Sequence, residues 1–329
     1  MEDTCTFVSC KGILKSCTFH SDNPKSSNVY DHSYLYDMLV SSKMFDGMSI
    51  YVCSELLPLF FSDIFPKIIN KFVLVTGDSD LEVPCEVLAE EQATILLRDS
   101  KLLRWYSQNT LAKHPKLIQI PIGLAYHTIF KDCDNEWKYE GMFQLDLPQD
   151  QETRLLGVRD NMKKFWERSS KIFVNFDTKN DPYFDRRNSL DSISSDLLYV
   201  DQVITARTVL WKKMAQHAFI LSPFGVGRDC LRTWETLLLG GIPIIKGQHF
   251  NAMFQDLPVL IVDEWSCVTQ DLLDKTLNEF EDKHRKDEFN YKKLELSYWV
   301  NMIKNTRELD LDALEKIAQL RYILLQYFY

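Results

Sequence analysis

Two aspartates, Asp78 and Asp80, close the apolar run KFVLVTGDSD at 71–80. A D-x-D after a buried strand can hold a divalent metal under a nucleotide diphosphate, supply one general base, or form an ordinary turn. A second group lies in FILSPFGVGRDCLRTWE at 219–235. There a strand ends at Pro223, a loop carries Gly225 and Gly227, and a helix is predicted from about Asp229 as its N-cap. Glycines let a backbone approach a ligand closely, and free N–H groups at a helix start favour phosphate. Arg228, Arg232 and Glu235 fall at i, i+4 and i+7 on one face, with Leu231, Trp234 and Leu238 on a neighbouring face turned to a sheet. Two guanidiniums neutralise a diphosphate, and a carboxylate two turns on accepts from ribose hydroxyls, which suits a nucleotide diphosphate sugar. The plainer alternative is a glycine loop and a helix whose Arg–Glu pairs are simple ion pairs.

Further candidates surround these two groups. Arg186 and Arg187 follow KIFVNFDTKNDPYFD, where one of them can meet a donor phosphate; a solvent-exposed basic pair is the alternative. Lys246 ends IPIIK within reach of a phosphate. Trp105, Tyr106 and Asn109 can line an acceptor site, because sugars stack on aromatic rings; for Trp105 the alternative is the core. His114, His127 and His249 read as surface or hydrogen-bonded histidines rather than bases, and no H-x-x-x-H pair suggests a metal. A second D-x-D at 132–134 lacks a preceding strand and reads as loop.

The elements that must position these residues alternate. Strands are expected at 49–54, 71–77 and 115–124, a helix through Phe60 to Ile69 with a break at Pro66, and a short strand or helix end at TILLRD. After a polar zone from Lys131 to about Arg168 the alternation restarts, with strands at 171–176, 219–223, 242–246 and 257–263 and helices at 208–218 and 229–239. The segment from Thr269 to Tyr329 reads mainly helical, and its charged run EFEDKHRKDEFNYKK reads as a solvated face. Strands alternating with helices predict an α/β protein built on parallel sheets.

At 329 residues the chain exceeds one ordinary core, so two domains are expected: 1–155, and 156–329 with a helical tail. The charge of −9, from 38 Lys+Arg against 47 Asp+Glu, argues against a nucleic-acid partner. Eight cysteines without C-x-x-C read as reduced, scattered thiols. No signal peptide and no apolar run of ~20 residues is found, so no membrane span and a soluble, cytoplasmic protein are expected.

SPFGVGRDCLRTWETLLLGGIPIIK and LPVLIVDEW together resemble the C-terminal signature of exostosin-like glycosyltransferases, in particular the compact exostosin-like and xylosyltransferase proteins of large DNA viruses. Agreement is dense over some 45 residues. Weaker agreement reaches back through VLVTGDSD, WYSQN, HPKLIQIPIGL and KIFVNF, but not into residues 1–45 or beyond about 275. The resemblance implies a GT-B fold, with two Rossmann-like domains facing across a cleft, and transfer from a nucleotide sugar with inversion. It matches Arg232 and Glu235 to the family's donor-helix Arg and Glu, the latter on ribose, and Gly225, Gly227 and Asp229 to the loop and helix start. Where the family reads T-H-N-S-D, this chain has Thr76-Gly77-Asp78-Ser79-Asp80; Asp80 keeps the acid, and Asp78 replaces a neutral residue.

The expectation is therefore an inverting transferase moving a sugar from a UDP-sugar to a hydroxyl of a glycan or glycoprotein, xylose being named by the resemblance alone. Asp80 is the first choice of base and Asp78 the second. Arg228, Arg232, one of Arg186 and Arg187, and the helix start stabilise the leaving diphosphate, so no metal or further cofactor is required. The resemblance extends to a virus-encoded protein acting in a host cytoplasm. Two rivals stay open: a metal-dependent GT-A enzyme using both aspartates, and a silent nucleotide-sugar-binding protein.

Overall fold

The computed structural model describes residues 2–21, 32–126, 147–179, 181–203, 205–247 and 251–309. His127, His249, the aspartates of 132–134 and the stretch 310–329 lie outside the described residues. The expected α/β class holds, with two sheets that are parallel throughout.

The first sheet runs β1 (Met48–Cys53), β2 (Phe72–Gly77), β3 (Leu102–Ser107) and β4 (Leu117–Gln119), side by side in chain order. Around it lie α1 (Cys10–Ser16), α2 (Ser33–Val40), α3 (Leu57–Leu59) and α4 (Glu90–Arg98). The expected helix from Phe60 continues α3 in irregular turns to Lys67, with Pro66 in the first turn of its last piece, where a missing N–H costs nothing. TILLRD ends α4.

The second sheet holds β5 (Ser169–Val174), β6 (Leu198–Val200), β7 (His217–Leu221), β8 (Ile242–Lys246) and β9 (Leu260–Val262). Its order is β6-β5-β7-β8-β9. The chain goes from β5 outward to β6, then returns to the other side of β5 as β7. That reversal opens a crevice at the carboxyl ends of β5 and β7, the place where open α/β sheets bind ligands. The helices of this half are α5 (Pro148–Asp160), α6 (Asp185–Ser192), α7 (Arg207–Met214), α8 (Leu231–Leu238), α9 (Asn251–Phe254) and α10 (Gln270–Arg285). A last helix, α11 (Leu296–Lys304), lies against α1, and Tyr106 Oη donates to Met302 O at 3.1 Å.

The central strands β2, β7 and β8 read as nearly unbroken apolar runs because both faces are covered. In β2, Phe72 and Leu74 enter one cluster with α2, α3 and α4, while Val73 and Val75 enter another. That second cluster is shared: it also holds Phe173 and Ile220 of the second sheet, Trp234 of α8 and Trp299 of α11. The two sheets are thus joined by a common apolar core. Among the described residues no helix is long and apolar enough to cross a membrane.

Candidate active site

β2 and β3 end side by side, and a left-handed residue lies just past each: Asp78 at φ 57° and Asn109 at φ 49°. Asp and Asn tolerate this conformation better than other side chains, and such backbone gathers at functional sites. Gly77 makes the first turn possible, since a Cβ there would stand 2.5 Å from Gln108 Oε1. That oxygen instead accepts from Asp78 N–H at 3.0 Å. Ser79 Oγ donates to Glu55 at 3.2 Å, so three carboxylates gather at this strand end.

Crowding shows in their titration. Burial raises the Asp78 carboxyl to about 7, with Lys11 opposing and Glu55 and Asp80 reinforcing. Asp80 keeps much of its surface open but is also raised, by partial burial and then Glu55, against the pull of Arg186. Since the folded value of Asp78 lies above the unfolded one, stability falls as pH rises from about 4 to 7, and the cost is complete above that. Asp78→Asn is expected to stabilise the protein by about 1–3 kcal/mol at pH 8 and far less at pH 5. Urea unfolding at both pH values checks this, and an equal difference at both would remove the titration argument. Among the described residues no group of three or more His, Cys, Asp or Glu is arranged to hold a metal ion.

Across the cleft stands the loop between β7 and α8. A Cβ on Gly227 would lie 2.7 Å from Asp80 Oδ1, so any larger residue in this loop would make that carboxylate move. Asn109 Oδ1 accepts from the N–H groups of Arg228 and Asp229, both at 3.0 Å, while its Nδ2 donates to Ser79 O at 2.9 Å. One amide therefore ties the aspartate turn to the glycine loop.

Asp229 is not the helix cap that its type suggested. The helix starts at Leu231, and Asp229 is buried before it, accepting from Ile122 N–H at 2.8 Å and from Trp234 Nε1–H at 2.9 Å. Donors beyond β4 and on α8 itself displace the local cap, and burial lifts this carboxyl to about 7. Arg228 likewise leaves the face shared by Arg232 and Glu235. Its guanidinium lies over the Tyr183 ring, 3.9 Å from the centroid, and Glu82 stands 4.0 Å away.

Arg186 and Arg232 converge on the crevice. Arg232 Nη2 donates to Asn175 O at 3.4 Å, just beyond β5, and the group lies 5.1 Å from the Phe176 centroid. Arg186 Nη1 donates to Asp177 O at 2.7 Å and Nε to Phe224 O at 3.3 Å, beyond β7. Gly225 makes room for it: a Cβ there would be 2.8 Å from Arg186 Nη2. Burial lowers Arg232, and the charge of Arg186 lowers it further. Two buried guanidinium nitrogens, Arg228 Nε and Arg232 Nη1, have no hydrogen-bond partner. Buried cationic donors left unpaired beside a second cation are costly unless an anion joins them. Asp185 braces the loop, accepting from Phe224 N–H at 2.9 Å and Trp265 Nε1–H at 2.7 Å.

Glu235 faces a partner that the sequence did not reveal. Arg207 of α7 donates to its Oε1 from Nε at 3.0 Å and Nη2 at 2.6 Å. Arg207 also donates to Ala125 O at 2.5 Å and Gln151 Oε1 at 3.1 Å, and stacks 4.7 Å from the Trp211 centroid. Neither Arg207 nor Asp185 belongs to a motif; only the packing of α6, α7 and α8 brings them in.

The remaining candidates separate. Arg187 is exposed on α6 and joins nothing in the crevice beyond a backbone N–H to Asp181. Lys246 ends β8 in an ion pair with Glu264 at 2.7 Å. Trp105 is 0% exposed, with Nε1 donating to Thr76 at 2.9 Å, and Tyr106 is 2% exposed, turned to α11. Neither ring offers a face to a sugar, because β3 is covered on both sides. Asn109 comes to the cleft as a clamp between the halves.

No protein-family model and no curated protein sequence matches the chain. The exostosin-like resemblance therefore stands on its motif residues alone. Among solved structures, the crystal structure of an alpha1,3-fucosyltransferase with GDP-fucose matches 91% of this chain and 88% of its own length, at 10% identity and a TM-score of 0.33. A GtfA/B complex matches 83% of this chain and 57% of its own, at 10% identity and a TM-score of 0.32. Likenesses of that size carry no argument about this chain.

Proposed function

We propose that this protein is an inverting glycosyltransferase of the GT-B type, with a nucleotide-sugar donor held at the carboxyl end of the second sheet. The observation that carries the reading is the pair of unpartnered guanidinium nitrogens, on Arg228 and Arg232, with Arg186 beside Arg232 at the β5–β7 crevice and acting on Asp80 through its charge. A diphosphate satisfies them and offsets their charge. Glu235 accepts from the ribose, its other oxygen already fixed by Arg207. The sugar then lies toward Asp80, which takes the proton of an acceptor hydroxyl as that oxygen attacks the anomeric carbon. The bond to the diphosphate breaks on the opposite side, and the arginines hold the departing charge. In this reading no metal is needed. Uridine as the base, xylose as the sugar and a glycan or glycoprotein hydroxyl as acceptor rest on the motif resemblance. In this reading residues 1–155 form the acceptor side and 156–329 the donor side, the division falling inside α5.

Thermal shift across UDP- and GDP-sugars, with and without EDTA, tests donor binding, and release of nucleoside diphosphate tests turnover. Stabilisation by a nucleotide sugar that persists in EDTA is expected. Binding that vanishes in EDTA would favour a metal clamp by the aspartates, and binding without turnover on any acceptor would leave a sugar-nucleotide binding protein. Glu235→Ala is expected to weaken donor binding about tenfold, with a smaller change in kcat, because the lost contact is made equally in ground and transition states. An unchanged KM for donor would remove Glu235 from the site. Asp78 is the second reading for the base, favoured by its raised carboxyl at about 7. A rate profile that rises through pH 7 and loses that limb in Asp78→Asn would support it.

A further inference from the structure

Among the described residues no hydrogen bond holds the Asp80 carboxylate itself, so its place is set by the chain that carries it. That chain hangs from Asn109 at both ends. Asn109 Nδ2 donates to Ser79 O at 2.9 Å, the carbonyl of the peptide unit leading into Asp80, and Asn109 O accepts from Val83 N–H at 3.1 Å. Asn109 is 1% exposed, and its Oδ1 accepts from the N–H groups of Arg228 and Asp229, both at 3.0 Å. A Cβ on Gly227 would stand 2.7 Å from Asp80 Oδ1 and 3.2 Å from Asn109 Nδ2, so carboxylate, amide and glycine loop meet at one point. The preceding amide, Gln108, accepts from Asp78 N–H at 3.0 Å, but its Nε2 donates to Pro121 O at 3.0 Å, within the first half of the chain. Of the two amides, Asn109 is the one that reaches the second half.

Both ends of this amide are used, one as donor and one as acceptor. An ionised carboxylate or an apolar side chain of the same size cannot do both. Asparagine also tolerates the φ of 49° found there. We propose that Asn109 is a positioning residue: it fixes the height of Asp80 over the glycine loop, so that an acceptor hydroxyl on Asp80 lines up with the donor's anomeric carbon. The inference rests on the reading of Asp80 as the base of a glycosyl transfer. A base placed through one peptide unit is sensitive to that anchor, since a misplacement of about 1 Å can cost about 100-fold in rate.

A double-mutant cycle on the full chain tests it. Release of nucleoside diphosphate from UDP-xylose, UDP-glucose and GDP-mannose, with methyl glycosides as acceptors, gives the rate. Asn109→Gly suits the left-handed backbone and keeps the carbonyl bond to Val83, so it removes the amide alone. It is expected to slow turnover by about 30-fold or more in the parent chain. In the Asp80→Asn background the same change is expected to cost less than about threefold, because the carboxylate through which the amide acts is already gone. An amide that merely holds the fold would cost alike in both backgrounds. Equal losses in the two, or the parent's rate in Asn109→Gly, would overturn the proposal. Should Asn109→Gly lack a cooperative melting transition, Asn109→Asp carries the same cycle at pH 9. With its carboxyl ionised, that variant keeps acceptors for Arg228 and Asp229 and loses the donor to Ser79. Full activity in Asp80→Asn, or no release by the parent chain, would instead overturn the transfer reading on which this one rests, before any change at Asn109.

Discussion

Asp80→Asn is expected to lower turnover by about 10²–10⁴-fold, the usual contribution of a general base, while donor affinity stays within about twofold. The amide has nearly the shape of the carboxylate, so the contact with Gly227 is kept and the loop still closes on the first sheet. What is lost is the ability to take a proton. Asn109 continues to tie Ser79 to Arg228 and Asp229, so the cleft geometry survives the substitution. Single-turnover transfer together with nucleotide titration measures the two quantities separately. Full activity in Asp80→Asn would end its assignment as base. If Asp78→Asn alone abolished transfer, the role would pass to Asp78, two residues nearer the strand.

The second large effect concerns Arg232. Its guanidinium is buried, pushed down by burial and by Arg186, and one nitrogen has no partner. Without donor it is therefore a poor contributor to the fold. Arg232→Met is expected to leave the melting temperature unchanged or raised, because methionine fills the space with no charge to desolvate. Donor affinity should fall by about 100-fold or more, as when one partner of a buried charge pair is cut away. Calorimetric melting and nucleotide titration on one preparation decide it. A structural arginine would give the reverse, a clear loss of stability with little change in binding, and that outcome would dissolve the anion pocket.

Much of this was legible in the residues themselves. The apolar runs at 71–77 and 242–246 gave their strands because a parallel strand buried on both faces needs unbroken hydrophobicity, whatever it packs against. The loop with Gly225 and Gly227 was marked as a place of close approach, and both glycines make room for neighbouring side chains, Arg186 and Asp80. Helix patterning misjudged the start of α8 by two residues: an aspartate before a helix has a strong local preference to cap, yet Asp229 found better donors in Ile122 and Trp234. Trp105 illustrates the opposite limit. An aromatic residue near a strand end looks the same in sequence whether its ring meets a sugar or a core; its side of β3 and the helices covering it decide.

Local rules of the chain determine strands, turns, the glycine loop and the charge types at hand, because these depend on residues within a turn or two of each other. Only the tertiary structure joined Asn109 to Arg228 and Asp229 across 119 and 120 residues of chain, and Arg207 to Glu235 across 28. Only it left Arg228 and Arg232 with nitrogens unpaired, since an absent partner is a property of everything packed nearby. The D-x-D at the end of β2 is equally ambiguous by itself. Its proposed role as a base rests on the second sheet's crevice, made by the excursion of the chain to β6 and back, with its arginines.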